Sequence, residues 1–128
     1  MLKLDEDIPF VNKPWGYERI FADTPQYIGR YIFIEAGHKT SRQYHQLRDE
    51  TVYVLGGPFH LEIGPDDDAE IISLGMGTGE SYHIEPGVVH RFCAPADSDV
   101  ELIEVSTAQW EDIIRLEDDY SRIIDAIA

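Results

Sequence analysis

The sequence has few basic side chains, almost no cysteine and no long apolar run, and each shortage excludes a class of protein. Ten lysines and arginines face 25 aspartates and glutamates, a formal charge of −15 that would repel a nucleic acid or an anionic membrane. The single cysteine, Cys93, cannot form an internal disulfide, so we expect a cytoplasmic protein. No apolar run exceeds four residues, and the acidic start lacks a signal-peptide core. These features predict neither a membrane span nor a leader.

Most of the chain has the composition of a β-protein. Hydrophobic residues make up 43% of it and aromatic residues 11%, enough for the core of one domain. Short segments rich in β-branched and aromatic residues alternate with Gly and Pro turns, a spacing that predicts antiparallel hairpins in a sandwich or barrel. The predicted strands are Tyr27–Glu35, Thr51–Leu55, Phe59–Ile63, Glu70–Leu74, Val88–Phe92 and Val100–Val105.

The C-terminal segment has a different period. Its apolar residues recur at three or four positions with acidic residues between them, which predicts an amphipathic helix over about 109–127, packed on the barrel. These apolar residues are Ile113, Leu116, Tyr120, Ile123, Ile124 and Ile127. We expect a single domain, 1–128, with a barrel core over about 17–107.

Two histidine segments offer the donors of a metal site. His45 stands two residues after Gln43 and five before Glu50, and a strand would place Gln43 and His45 on one face. A second histidine, His90, follows the turn Pro86-Gly87. Two imidazoles, a carboxylate and an amide oxygen can bind a divalent ion and leave positions open for water or substrate. Zinc, iron, manganese, cobalt and nickel all accept such donors, so the identity of the ion stays open.

The same segments resemble the two motifs of the cupin superfamily. Gly37 to Gly57 reads Gly-x7-His-x4-Glu-x6-Gly, and Gly79 to His90 ends in Pro-Gly-x-x-His. The resemblance implies an all-β, single-domain cupin, which is a double-stranded β-helix or jelly-roll barrel whose two motifs converge on one metal ion. The residues to which it assigns ligand roles are Gln43, His45, Glu50 and His90.

A closer resemblance covers about 12–122. Two segments carry it: Lys13-Pro14-Trp15-Gly16 is similar to the motif Lys-Pro-Trp-Gly, and Ser41–Glu50 is similar to the motif Ser-x-Gln-x-His-His-His-Arg-x-Glu. Both belong to bacterial type II mannose-6-phosphate isomerases, a domain often fused to a mannose-1-phosphate guanylyltransferase. Gln46 and Leu47 replace two of the motif's histidines. The match continues in Val89–Arg91, Glu101–Val105 and Glu111–Arg122.

The resemblance implies an aldose–ketose isomerisation of a sugar phosphate. That reaction moves a proton between C1 and C2, which requires a base and a positive group that stabilises the oxyanion. The candidate bases are Glu50, His83 and a metal-bound hydroxide. The phosphate requires cations. The candidate substrate-binding residues are Arg48, Arg91, Lys13, Arg30 and Tyr53, with core packing as the alternative for Tyr53 and surface ion pairs as the alternative for Lys13 and Arg30.

Three functions are therefore open. The leading one is a metal-dependent cupin that acts on a sugar or sugar phosphate, most concretely as a mannose-6-phosphate isomerase. The second is an iron-dependent cupin oxygenase. The third is a non-catalytic module that binds a sugar or metabolite, which the replacement of two histidines by Gln46 and Leu47 favours. Exposed strand edges are often paired between subunits, so we also expect a homodimer.

Overall fold

The computed structural model describes residues 8–64 and 70–120, and all the regular structure in them is β-strand. The strands are β1 (Phe10–Lys13), β2 (Gly16–Asp23), β3 (Tyr27–Ile34), β4 (Arg42–Tyr44), β5 (Glu50–Gly56), β6 (Phe59–Gly64), β7 (Ile72–Met76), β8 (Ser81–Ile84), β9 (Val89–Cys93), β10 (Val100–Thr107) and β11 (Ile114–Glu117). Over these two ranges there is no helix, and hence none that could span a membrane.

Two antiparallel sheets form the fold. The first has the order β1-β2-β3-β10-β5-β8, and the second has the order β11-β4-β9-β6-β7. Strands distant in sequence are neighbours in both sheets: β10 lies between β3 and β5, and β9 lies between β4 and β6. The two histidine segments therefore meet, because β4 leads to His45 and β9 carries His90.

The core lies between the inner faces of the sheets. Side chains alternate between buried and more exposed along β5 and β10, as expected for strands with one face on a core. The apolar residues with the lowest exposure are Ile34, Val52, Val54, Phe59, Leu61, Val100 and Leu102. Phe59 and Phe92 meet edge to face within this core, with ring centroids 5.6 Å apart.

The six strands predicted from composition all occur, with small changes at their ends. The largest displacement is in the strand predicted at Glu70–Leu74, which is observed as Ile72–Met76. The strands β1 and β2 were not predicted. They pair at one side of the first sheet and carry few fully buried side chains, so their sequences lack a clean apolar alternation.

The helix predicted over 109–127 is wrong for residues 109–120. This part of the chain forms turns and then β11, which pairs with β4. The pairing satisfies the backbone groups along an otherwise open edge of the second sheet, and this tertiary gain overrides a local period of three to four residues. Residues 121–127 of the predicted helix lie outside the part of the chain that the structure describes.

Candidate functional site

Two histidines and one glutamate converge inside the barrel. His45 lies just after β4, Glu50 begins β5, and His90 is on β9. The Nε2 atoms of His45 and His90 each lie 3.0 Å from Oε1 of Glu50. All three residues are 2% exposed. They form a group that could hold a metal ion, with one potential ligand atom from each within 4.8 Å of the others.

The outer ring nitrogens determine how the two histidines face Glu50. Nδ1 of His45 lies 2.6 Å from the carbonyl oxygen of Asp112, and Nδ1 of His90 lies 2.9 Å from that of Val88. A carbonyl accepts hydrogen bonds only, so each Nδ1 carries a proton and donates it. In a neutral imidazole this leaves the lone pair on Nε2, directed into the cluster. Each histidine is thus held as a metal-binding histidine is, by a backbone partner on its far nitrogen.

The inner atoms of this cluster lack ordinary partners. The Nε2 atoms of His45 and His90 and both carboxylate oxygens of Glu50 are buried and make no hydrogen bond. The 3.0 Å contacts therefore lack the alignment of hydrogen bonds. Buried acceptor atoms that face one another at this distance are costly unless a cation lies among them. The donor set of two imidazoles and a carboxylate suits a divalent transition metal.

Glu50 is also in contact with other charged groups. Burial raises the pKa of Glu50, but hydrogen bonds and positive charge from His45 and His90 would hold that pKa well below its usual value when a proton lies between these residues. Nη1 of Arg48 lies 3.9 Å from Oε2 of Glu50. Burial raises the pKa of Glu104 to about 8, opposed by Arg30 and reinforced by Glu50. The site thus combines an ionised carboxylate with a second buried carboxyl that binds its proton more tightly.

A cavity of about 60 Å³ lies beside Arg48 and Glu104, which both interact with Glu50, although none of the three cluster residues lines it. Arg48 and Glu104 contribute to its wall and connect it to Glu50. Its charged and polar lining residues are Lys13, Glu18, Arg30, Thr40, Ser41, Gln43, Arg48, Glu104 and Arg115. Four cations and two carboxyl groups in this lining give an excess of at least two positive charges, in a protein whose net charge is −15. Such a pocket attracts a small anion that the rest of the surface would repel.

Two of the predicted substrate-binding residues, Arg30 and Arg48, line the cavity and form ion pairs or hydrogen bonds with other residues of the protein. Arg30 pairs with Glu18 and Glu104, and its guanidinium carbon lies 5.8 Å from the ring centre of Trp110. Nε and Nη2 of Arg48 donate to the carbonyl oxygens of Gln109 and Trp110, at 3.1 and 3.0 Å. Both side chains contribute positive potential, and each uses two of its five N–H donors inside the protein.

Gln43 and Arg115 lie in one row of the second sheet with His90. Gln43 pairs with His90 across β4 and β9, and with Arg115 across β4 and β11. The Oε1 atom of Gln43 accepts a hydrogen bond of 2.6 Å from the Ser41 hydroxyl. Sequence reasoning missed Arg115, because it assigned this segment to an outer helix. It also missed Glu104, whose inward direction follows only from its alternation with its neighbours on β10.

Three residues predicted for catalysis or substrate binding lie away from the cavity. His83 is exposed on β8 and lies 2.6 Å from Asp49, and Tyr53 is exposed on the outer face of β5. Arg91 follows His90 on β9 and is therefore directed to the opposite face, where it binds Glu117 and Asp119. Tyr53 neither caps the cavity nor fills the core, and Arg91 holds the C-terminal segment.

The two positions where histidines of the isomerase motif are replaced are also outside the cavity. Gln46 and Leu47 are exposed in the loop between β4 and β5, and the Leu47 side chain is 69% exposed. Neither residue lines the cavity.

Comparison with known proteins identifies the family. A family model described as "Mannose-6-phosphate isomerase C-terminal" matches residues 5–118. The chain belongs to this family. It is 30% identical over 110 residues to the mannose-1-phosphate guanylyltransferase RfbM of Salmonella typhimurium, and 32% identical over 116 residues to the xanthan biosynthesis protein XanB of Xanthomonas campestris. These alignments cover 84% and 88% of the chain, but only 22% and 23% of the relatives.

Solved structures share the fold of this mannose-6-phosphate isomerase C-terminal domain. The capsular polysaccharide assembling protein CapF of Staphylococcus aureus aligns with a TM-score of 0.79 and 19% identity, over 88% of this chain and 32% of CapF. An RmlC-like cupin from Shewanella frigidimarina aligns with a TM-score of 0.67 and 21% identity, over 86% of this chain and 92% of that cupin. The all-β domain therefore has the cupin fold, as the motif spacing predicted.

Proposed function

We propose that the domain binds one divalent metal ion through His45, Glu50 and His90 and isomerises a sugar phosphate, most concretely mannose 6-phosphate to fructose 6-phosphate. The observation that carries the proposal is the set of buried, unbonded acceptor atoms on these three residues, beside a cavity with excess positive charge. Membership of the mannose-6-phosphate isomerase C-terminal family supports the choice of reaction.

The three residues fit a divalent ion by their chemistry. Their four inner atoms are acceptors, and the backbone carbonyls of Asp112 and Val88 keep the imidazole lone pairs directed inward. Gln43, which lines the cavity, is the proposed fourth ligand. When bound, the ion supplies a Lewis acid that polarises the carbonyl and hydroxyl oxygens of the sugar. Zinc, iron, manganese, cobalt and nickel all suit these donors.

The chain's own residues orient the substrate and move the proton. The cations of the cavity, Lys13, Arg30, Arg48 and Arg115, supply the positive potential for the phosphate. The side chain of His83 is exposed and does not line the cavity. The candidates are Glu50 and Glu104, the latter a carboxyl in the cavity wall.

The test is turnover of mannose 6-phosphate, measured by coupling the appearance of fructose 6-phosphate to a dehydrogenase. We expect activity that a chelator removes and a divalent metal restores. His45→Ala and His90→Ala should lose it. His60→Ala is the matched control, because His60 is exposed on β6 and should retain activity. No turnover of any hexose phosphate at full metal occupancy would reject the isomerase and leave the binding module and the oxygenase.

A second candidate function rests on the ligand set itself. Two histidines and one carboxylate with open positions are typical of iron-dependent oxygenases. The corresponding experiment is oxygen uptake by the iron-loaded protein with candidate metabolites. Substrate-dependent uptake without hexose phosphate turnover would favour the oxygenase over the isomerase.

We also propose that the domain forms a homodimer through the outer face of the first sheet. Tyr53 and Leu55 share this face on β5, and Val105 lies on the neighbouring β10; they are 42%, 45% and 49% exposed. Apolar side chains on one sheet face are typical of a protein contact. Sedimentation at micromolar concentration should give the dimer mass, and Leu55→Lys should give a monomer. A wild-type monomer contradicts the proposal.

A further inference from the structure

The loop between two of the proposed metal ligands is held by a residue more than 60 positions away. Residues 46–49, between His45 and Glu50, belong to no strand, so no sheet ladder binds their amide groups. Instead, the N–H groups of Gln46, Leu47 and Arg48 donate to the carboxylate of Asp112, at 2.9, 2.6 and 2.8 Å. Three converging N–H groups bind a carboxylate strongly because each bond is charge-assisted.

Asp112 also orients His45, one of the proposed metal-binding residues. The carbonyl oxygen of Asp112 accepts the Nδ1 proton of His45 at 2.6 Å. Its side chain therefore holds the loop that follows His45, while its backbone holds the imidazole. Arg48 adds a second connection to this segment through the carbonyl oxygens of Gln109 and Trp110.

We propose that Asp112 is a positioning residue of the metal site: its carboxylate holds the 46–48 loop so that His45 and Glu50 face one another with the Nε2 lone pair of His45 directed inward. The inference rests on the proposed metal site. It does not require Asp112 to contact metal or substrate.

The geometry predicts an asymmetry between the two histidines. The Nδ1 atom of His90 is bonded to Val88, which immediately precedes its own strand β9. Loss of the Asp112 side chain should therefore disturb His45 and leave His90 in place. A substitution that only lowered the general stability of the barrel would not separate them.

The experiment compares Asp112→Ala and Asp112→Asn with wild type in Co²⁺ titrations followed by visible absorption. We expect Asp112→Ala to bind Co²⁺ about 10- to 100-fold more weakly, the range found when supporting contacts of metal ligands are removed. Asp112→Asn keeps one acceptor oxygen and should lie between the two. Asp99→Ala is the matched control, because Asp99 binds the N–H of Ala36 at 2.9 Å on a different loop. It should bind Co²⁺ as wild type does.

Amide exchange and histidine ¹⁵N shifts test the loop without metal. In Asp112→Ala we expect faster exchange at residues 46–48 and a mixed tautomer for His45, with His90 unchanged. Wild-type Co²⁺ affinity or unchanged amide protection in folded Asp112→Ala would overturn the proposal, as would equal weakening in Asp99→Ala. If wild type binds no Co²⁺, the proposed metal site fails, and the positioning role fails with it whatever the exchange data.

Discussion

Metal binding should stabilise the fold, and Glu50→Gln should remove that stabilisation. In the metal-free protein, the Nε2 lone pairs of His45 and His90 face Oε1 of Glu50 at 3.0 Å with no hydrogen bond. Glutamine keeps the size of the side chain but removes its charge, and its amide group can donate to a histidine. We therefore expect the metal-free variant to be at least as stable as wild type, although it responds little to metal.

The size of the effect follows from mass action. A ligand present at 100 times its dissociation constant stabilises the folded state by about 2.7 kcal/mol. Globular proteins gain about 2.1 cal/mol/K of unfolding entropy per residue, which for 128 residues is about 0.27 kcal/mol/K. The quotient of these values predicts a rise in Tm of about 10 °C on metal saturation.

Thermal unfolding with Mn²⁺ or Zn²⁺, compared with chelator-treated protein, measures this rise. His60→Ala should keep the full rise, because its imidazole is exposed and outside the cluster. Glu50→Gln and His90→Ala should lose most of it. An unchanged rise in Glu50→Gln, or no rise in wild type with either metal, would refute the reasoning about the buried acceptors.

Three further predictions concern the fold around the site. Arg91→Ala should lower the free energy of unfolding in urea by about 1–3 kcal/mol, because Arg91 binds Glu117 and Asp119 of the C-terminal segment. The KM for mannose 6-phosphate should stay within about twofold of wild type, since Arg91 lies outside the cavity. A large rise in KM would indicate that Arg91 binds substrate. Burial raises the pKa of the Cys93 thiol from 9.0 to about 12, so at pH 8 its alkylation should be about a thousandfold slower in the folded protein than in urea; equal rates would contradict this. Gly16→Ala should prevent folding, because the added Cβ would lie 2.0 Å from the carbonyl oxygen of Phe33. Gly79→Ala should lower the free energy of unfolding by only about 1–2 kcal/mol, since a Cβ at Gly79 meets no atom within 4 Å. Urea unfolding of both variants measures the difference, and equal losses of stability would contradict the prediction.

The strands of the core could be predicted because their local signal agrees with their environment. Both β5 and β10 are rich in β-branched residues, which favour a strand, and in both the buried positions recur at every second residue. The segment from Ile113 to Tyr120 misled because its apolar period is helical, while its backbone pairs with β4. Local periodicity contains no information about which sheet edge is open.

The candidate ligands His45, Glu50 and His90 could be named from motif spacing, and the structure brings them together. The substrate-binding predictions were less uniform. Lys13, Arg30 and Arg48 line the cavity, whereas Arg91 and Tyr53 do not. Proximity in sequence to a ligand does not by itself determine which side chains line the cavity, because adjacent residues of a strand are directed to opposite faces.

By itself, the sequence determined the all-β composition, the motif spacing that indicates a cupin, and the two imidazoles with a carboxylate. Only the tertiary structure decided that Arg115 is in register with Gln43 and that Asp112 holds the 46–48 loop. The physical reason is the sequence separation of the interacting groups. Side-chain chemistry and local alternation depend on neighbouring residues, whereas strand register and loop support depend on which distant groups form hydrogen bonds with one another.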